Sequence, residues 1–107
     1  MGSKSLRKVL CLCQKGNSRS VVLAYFIRKQ FGHETLAAGM VTASRATREM
    51  LYEWADRIIL VVPRYANRIP DQFRDKLRVI DAGRDPWREH DKGLLERYES
   101  QVNEMDV

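Results

Sequence analysis

The chain has 107 residues, 44% of them hydrophobic, and a formal net charge of +5, enough for one domain with one core and too little for two. No apolar run is long enough to span a bilayer, so no membrane helix is expected. The positive balance suits an acidic or phosphorylated partner, but the basic residues form no block and do not interleave with aromatics, so nucleic acid is not an expected partner.

Leu6–Cys13 reads as the first strand, a nearly continuous apolar run broken only by Arg7 and Lys8. No small-residue cleavage site follows it, so no signal peptide is expected. The opening MGSKSL places Leu6 where a myristoylation signal needs Ser or Thr. The chain's two cysteines, Cys11 and Cys13, are read as facing opposite sides of the strand, so no disulfide joins them. Two thiols without a secretory signal point to a reducing, cytoplasmic setting. His33 and His90 do not complete a zinc site at recognisable spacing, and neither a metal nor another cofactor is expected.

Ser20–Phe31 reads as a helix that stops at Gly32, with Arg28 and Lys29 in its last turn. Glu34–Ala38 is a short strand closed by Gly39. Thr42–Trp54 reads as a helix, with Met50, Leu51 and Trp54 at helical spacing. Arg57–Val62, in RIILVV, is the clearest strand, and Pro63 ends it. Arg64–Lys76 is helical with an interruption at Pro70, Leu77–Ile80 is a fourth strand, and Lys92–Asn103 is a last helix. The strands at Arg57 and Leu77 are both expected to be buried on two sides.

Strands alternating with helices imply an α/β fold in three layers, a parallel sheet covered on both faces. Right-handed crossovers favour a doubly wound four-stranded sheet of order 2-1-3-4, formed by residues 1–107 as a single domain. Ligands of such sheets bind outside the carboxyl ends of the strands. That edge gathers Cys13, Arg19, Asp81 and Asp85.

The stretch CQKGNSRS, Cys13–Ser20, joins the first strand to the first helix. If Gln14, Lys15, Gly16, Asn17 and Ser18 curl around an anion, their N–H groups form a nest, and the helix adds its positive end. Gly16 and Asn17 accept the left-handed conformations such a curl needs. Arg19 can fork onto two phosphate oxygens. The same surroundings favour Cys13 as a thiolate nucleophile, and Ser20 can donate to its sulfur as well as cap the helix. Cys11 reads as a buried strand residue.

Cys-x5-Arg-Ser between a first strand and a first helix resembles the low-molecular-weight protein tyrosine phosphatases. AGMVTAS, EWADRIILVV, DPW at Asp85–Trp87 and LLERYESQV resemble other segments of that family, so the likeness covers most of a chain that is shorter than usual, the missing length falling around 39–46. The resemblance implies a phosphatase that acts through a phosphocysteine, with a phosphorylated protein or a small phosphomonoester as substrate. It implies Asp85 as general acid, Pro86 restricting its loop and Trp87 lining the entrance. Asp81, directly at the strand end, is the competing acid. Gly16 and Asn17 stand one place later than the family's Gly-Asn, Ser18 replaces its second loop cysteine, and Val21 replaces its proline.

Two other readings remain open. Cys13, Gly16, Ser18 and Ser20 also match the Cys-x-x-Gly-x-Ser-x-Ser spacing of the phosphocysteine loop in cellobiose-type IIB sugar-transport subunits, which are phosphocarriers. A carrier must keep its phosphocysteine from water and needs neither Arg19 nor Asp85. The third reading is a phosphate or phosphopeptide binder without turnover. Lys15, Arg45, Arg48, Arg64 and Arg68 either frame the site or are ordinary solvated charge. Tyr25, Trp54 and Tyr98 read as core or rim.

Overall fold

The computed structural model describes residues 6–15, 19–81 and 92–102. Four strands, β1 (Lys8–Cys13), β2 (Glu34–Gly39), β3 (Arg57–Leu60) and β4 (Leu77–Val79), form one parallel sheet of order β2-β1-β3-β4. Three α-helices, α1 (Arg19–Phe31), α2 (Arg45–Trp54) and α3 (Lys92–Val102), connect or follow them. None of these helices is long and apolar enough to cross a membrane.

β1 lies inside the sheet. It pairs with β2 from Lys8 opposite Glu34 to Cys13 opposite Gly39, and with β3 from Val9 opposite Arg57 to Leu12 opposite Leu60. Side chains alternate between faces along a strand, yet Val9, Leu10, Cys11, Leu12 and Cys13 are all buried, as are Ile58, Ile59 and Leu60. Both faces of the sheet centre are therefore covered, which makes a three-layer α/β sandwich. The chain moves outward from β1 to β2 and then back past β1 to β3. Right-handed crossovers in opposite directions place α1 and α2 on opposite faces.

Helix boundaries follow local chemistry. α1 ends at Gly32, whose φ of 72° is left-handed and whose N–H bonds back to the Arg28 carbonyl at 3.0 Å. The apolar stripe Val22, Leu23, Phe26 and Ile27 faces the sheet. α2 begins three residues later than Thr42, because Ser44 caps it by accepting the Thr47 N–H at 3.1 Å.

One expectation is refined and two are corrected. Arg64–Lys76 is helical with its interruption at Pro70, but not α-helical. It forms two 3-10 helices, Pro63–Arg68 and Asp71–Lys76, because prolines at 63 and 70 cut it into pieces too short to nucleate an α-helix. β4 is not buried on both sides. It is an edge strand with Leu77 and Arg78 half-buried and Val79 exposed, and only the following Ile80 is sealed in the core. Cys11 and Cys13 do not face opposite sides either. A strand's side chains repeat every two residues, so both thiols point to the same face; both are free.

Candidate active site at the carboxyl end of β1

Cys13 ends β1, an inner strand paired with β2 and β3, and α1 begins at Arg19. The Cys13 Sγ and Ser20 Oγ atoms lie 3.1 Å apart in a buried hydrogen bond. A neutral thiol donates to the hydroxyl; a thiolate accepts from it. Ser20 is fully buried and Arg19 is 5% exposed. Arginine is rarely buried to that degree, and here it occupies the positive end of a helix dipole whose first turn holds no acidic residue. The buried guanidinium and the helix end together make the start of α1 positive, the electrostatics an anion needs.

Arg19 is anchored from a distant element. Tyr98, fully buried on α3, donates its phenolic O–H to the Arg19 carbonyl at 2.6 Å. That bond docks the last helix onto the first turn of α1. The sequence left Tyr98 as core or rim, and it is core; its hold on the backbone of the candidate site is a long-range contact with no local signature.

The chain after Cys13 is held by the segment that follows β2. Met40 N–H donates to the Cys13 carbonyl at 2.8 Å and Val41 N–H to the Gln14 carbonyl at 3.0 Å, continuing the β1–β2 ladder past the end of the sheet. Thr42 Oγ1 then donates to the Lys15 carbonyl at 2.8 Å. Gly39 makes this approach possible: a Cβ there would lie 2.6 Å from the Lys15 oxygen and closer still to the Lys15 carbonyl carbon and Thr42 Oγ1. The sequence read Gly39 only as a strand stop.

α2 clamps this strap in turn. Arg48 Nη1 donates to the Met40 and Ala43 carbonyls at 2.9 and 2.6 Å, and Tyr52 packs its buried phenol against Met40 Sδ at 3.8 Å. Burial pushes the Tyr52 hydroxyl above its ordinary value, with Arg48 pulling the other way. On the other side, Arg64 Nη2 donates to Gln14 Oε1 at 3.0 Å. Arg48 is thus a structural brace, while Arg64 touches the residue next to Cys13.

Of the other expected site residues, Lys15 is exposed and Gln14 half-buried, and Gly16, Asn17, Ser18, Asp85, Pro86 and Trp87 lie outside the described residues. Asp81 follows β4 at the same sheet edge, where its backbone N–H and C=O pair with the Gln101 side-chain amide at 3.2 and 3.1 Å. β3 separates its strand from β1, a lateral step of two strands or about 10 Å.

A cavity of about 580 Å³ opens at the opposite edge, lined by Arg7, Arg28, His33 and Asp56 among others. Its polar groups brace strand starts: Asp56 Oδ2 accepts the Lys8 N–H at 2.8 Å and His33 Nδ1 the Arg7 N–H at 3.1 Å. His33 is buried and stacked on Phe31. Ligands of open parallel sheets bind at the carboxyl edge, and size alone does not move the chemistry here.

With this geometry in hand, comparison with protein-family models, with curated proteins and with solved structures gave no match.

Proposed function

We propose that the protein is a cysteine-dependent phosphatase that hydrolyses a phosphate monoester, protein phosphotyrosine above all, through a phosphocysteine intermediate. The observation that carries the reading is the buried Cys13–Ser20 pair, 3.1 Å apart, beside an almost fully buried arginine at the start of α1. The resemblance of Cys13–Ser20 and Asp85–Trp87 to the low-molecular-weight phosphatases supplies the remaining roles.

In the first step the Cys13 sulfur attacks phosphorus, the ester P–O bond breaks, and Asp85 gives its proton to the leaving oxygen. Arg19 and the backbone N–H groups of residues 14–18 hold the phosphoryl oxygens as charge builds on them. In the second step water attacks phosphorus, Asp85 takes the water's proton, and the P–S bond breaks. The Ser20 hydroxyl donates to the departing sulfur and makes it a better leaving group. This chemistry needs Cys13 as a free thiol, which fits a reducing compartment such as the cytoplasm.

The carrier reading has no use for the buried guanidinium, since a carrier must keep its phosphocysteine from hydrolysis. Turnover of an activated aryl phosphate by the wild type, with a phosphocysteine trapped by rapid acid quench, tests the proposal. Cys13→Ser should abolish both while retaining vanadate binding, because the anion-binding donors remain. Turnover by Cys13→Ser at the wild-type rate would falsify the assignment, and a phosphocysteine that persists in the wild type would make the protein a carrier.

A further inference from the structure

Arg64 and Arg68 stand on one 3-10 helix, Pro63–Arg68. Both lie over the ring of Tyr65, their guanidinium carbons 5.1 and 4.9 Å from its centroid. Arg64 also donates to Gln14, the residue next to Cys13, so the pair begins one side chain away from the nucleophile. Arg68 continues the surface into a shallow cavity of about 150 Å³ shared with Arg45, Arg48, Glu49, Tyr52 and Pro70.

The charges along this rim are not equally available. Arg48 is spent on two backbone carbonyls, and Arg45 is paired with Glu49 at 3.0 Å. Arg64 and Arg68 are exposed and form no ion pair with any carboxylate among the described residues. Two neighbouring guanidinium groups without a counter-charge repel each other, and the Tyr65 ring face offsets only part of that. An anion bound beside them offsets that repulsion.

We propose that Arg64 and Arg68 form a subsite for a second anionic group, and that the substrate is a phosphorylated protein segment carrying an aspartate or glutamate near the phosphorylated side chain. The inference rests on the phosphatase reading for its first anion. A nucleic acid is the poorer fit, because Tyr65, the ring at this rim, is buried under the two arginines and offers no platform on which a base could stack.

The test uses two peptides that carry a non-hydrolysable phosphonate analogue of phosphotyrosine, one flanked by glutamates and the other by glutamines. Isothermal titration at low salt should show the glutamate peptide binding the wild type about tenfold more tightly, the scale of two exposed charge contacts. The ratio should shrink as salt is raised. It should fall close to one in Arg64→Gln/Arg68→Gln and survive in Arg64→Lys/Arg68→Lys, with circular dichroism confirming that both variants fold. Equal binding of the two peptides by the wild type overturns the proposal, as does a ratio that persists in the glutamine variant. Tighter binding of a single-stranded oligonucleotide of matched charge also overturns it. Aryl phosphate turnover reports separately on the first site. Turnover with a ratio of one removes the subsite and leaves the phosphatase; a tenfold ratio without turnover leaves the subsite and removes hydrolysis.

Discussion

Cys11 and Cys13 sit two residues apart on the same face of β1, both buried and both free, yet their neighbours differ. Cys11 is inside the strand, paired across to Ala37 and Ile59, and burial pushes its thiol far above the ordinary value, with the nearby Cys13 adding to the shift. Cys13 is at the strand end, where the backbone leaves the sheet toward α1. There it meets a hydroxyl at 3.1 Å and the positive end of a helix that starts with a buried arginine. A 7 Å shift along one strand separates an inert thiol from one with the surroundings of a nucleophile. Both are buried, so what sets Cys13 apart is the helix terminus and the hydroxyl it meets.

If the Arg19 guanidinium holds phosphoryl oxygens by its shape as well as its charge, changing the shape alone should cost turnover. Arg19→Lys keeps the charge and loses the planar fork. The expected outcome is a loss of several kcal/mol in transition-state stabilisation, at ~1.4 kcal/mol per tenfold in kcat/KM. Steady-state kinetics on an aryl phosphate measures it, and a near-normal rate would mean that Arg19 serves the fold alone, through its carbonyl bond to Tyr98.

A smaller effect should come from the strap that shapes the chain after Cys13. Gly39→Ala drives a methyl group into the Lys15 carbonyl and Thr42 Oγ1, so residues 13–15 or 40–42 must shift. Overpacking of this kind costs about 1–3 kcal/mol, and the displaced loop should lower kcat/KM as well. Gly32→Ala is the matching control. It strains a left-handed residue at the end of α1, where the added Cβ meets only Leu6 Cδ2 at 3.7 Å. Its stability cost is about 1 kcal/mol, and turnover should hold. Urea midpoints and rates for the two variants separate a strap that positions the loop from one that merely stabilises the chain.

These distal supports mark the limit of what the sequence could tell. The order of strands and helices was legible because each element carries its own periodicity, and Cys13, Arg19 and Ser20 were legible because they fall at a strand–helix junction. Gly39, Thr42 and Tyr98 were not, because each acts on residues more than twenty positions away and nothing local to them announces the contact. The helical stretch broken at Pro70 was legible, but not its 3-10 type, because prolines at 63 and 70 leave each piece too short for an α-helix. β4 was misjudged because an apolar run does not reveal that its strand ends at the edge of the sheet. The shared face of the two cysteines follows from strand periodicity alone, and the structure corrects that reading.

The smallest expected effect isolates Cys11. Cys11→Ala should leave turnover close to wild type, since the thiol touches the site only through its neighbour on the strand. Its signature should instead appear in stability against pH. In the unfolded chain the thiol ionises near its ordinary value of 9.0, while in the folded chain burial holds it protonated far beyond that. Above pH 9.0 the folded state keeps a proton that the unfolded state has released. Stability that is complete below pH 9.0 therefore falls as the pH rises, by up to ~1.4 kcal/mol per unit from this one group. Tyr52 contributes with the same sign above its ordinary 10.0 and is present in both proteins, so it cancels in the comparison. Urea unfolding of wild type and Cys11→Ala at pH 8, 9, 10 and 11 should give curves that start offset by about 1 kcal/mol, the cost of emptying a small buried site. They should then converge and cross as the wild type loses stability faster. Parallel curves would mean that the Cys11 thiol ionises as easily folded as unfolded, and the contrast between the two cysteines would lose its physical basis.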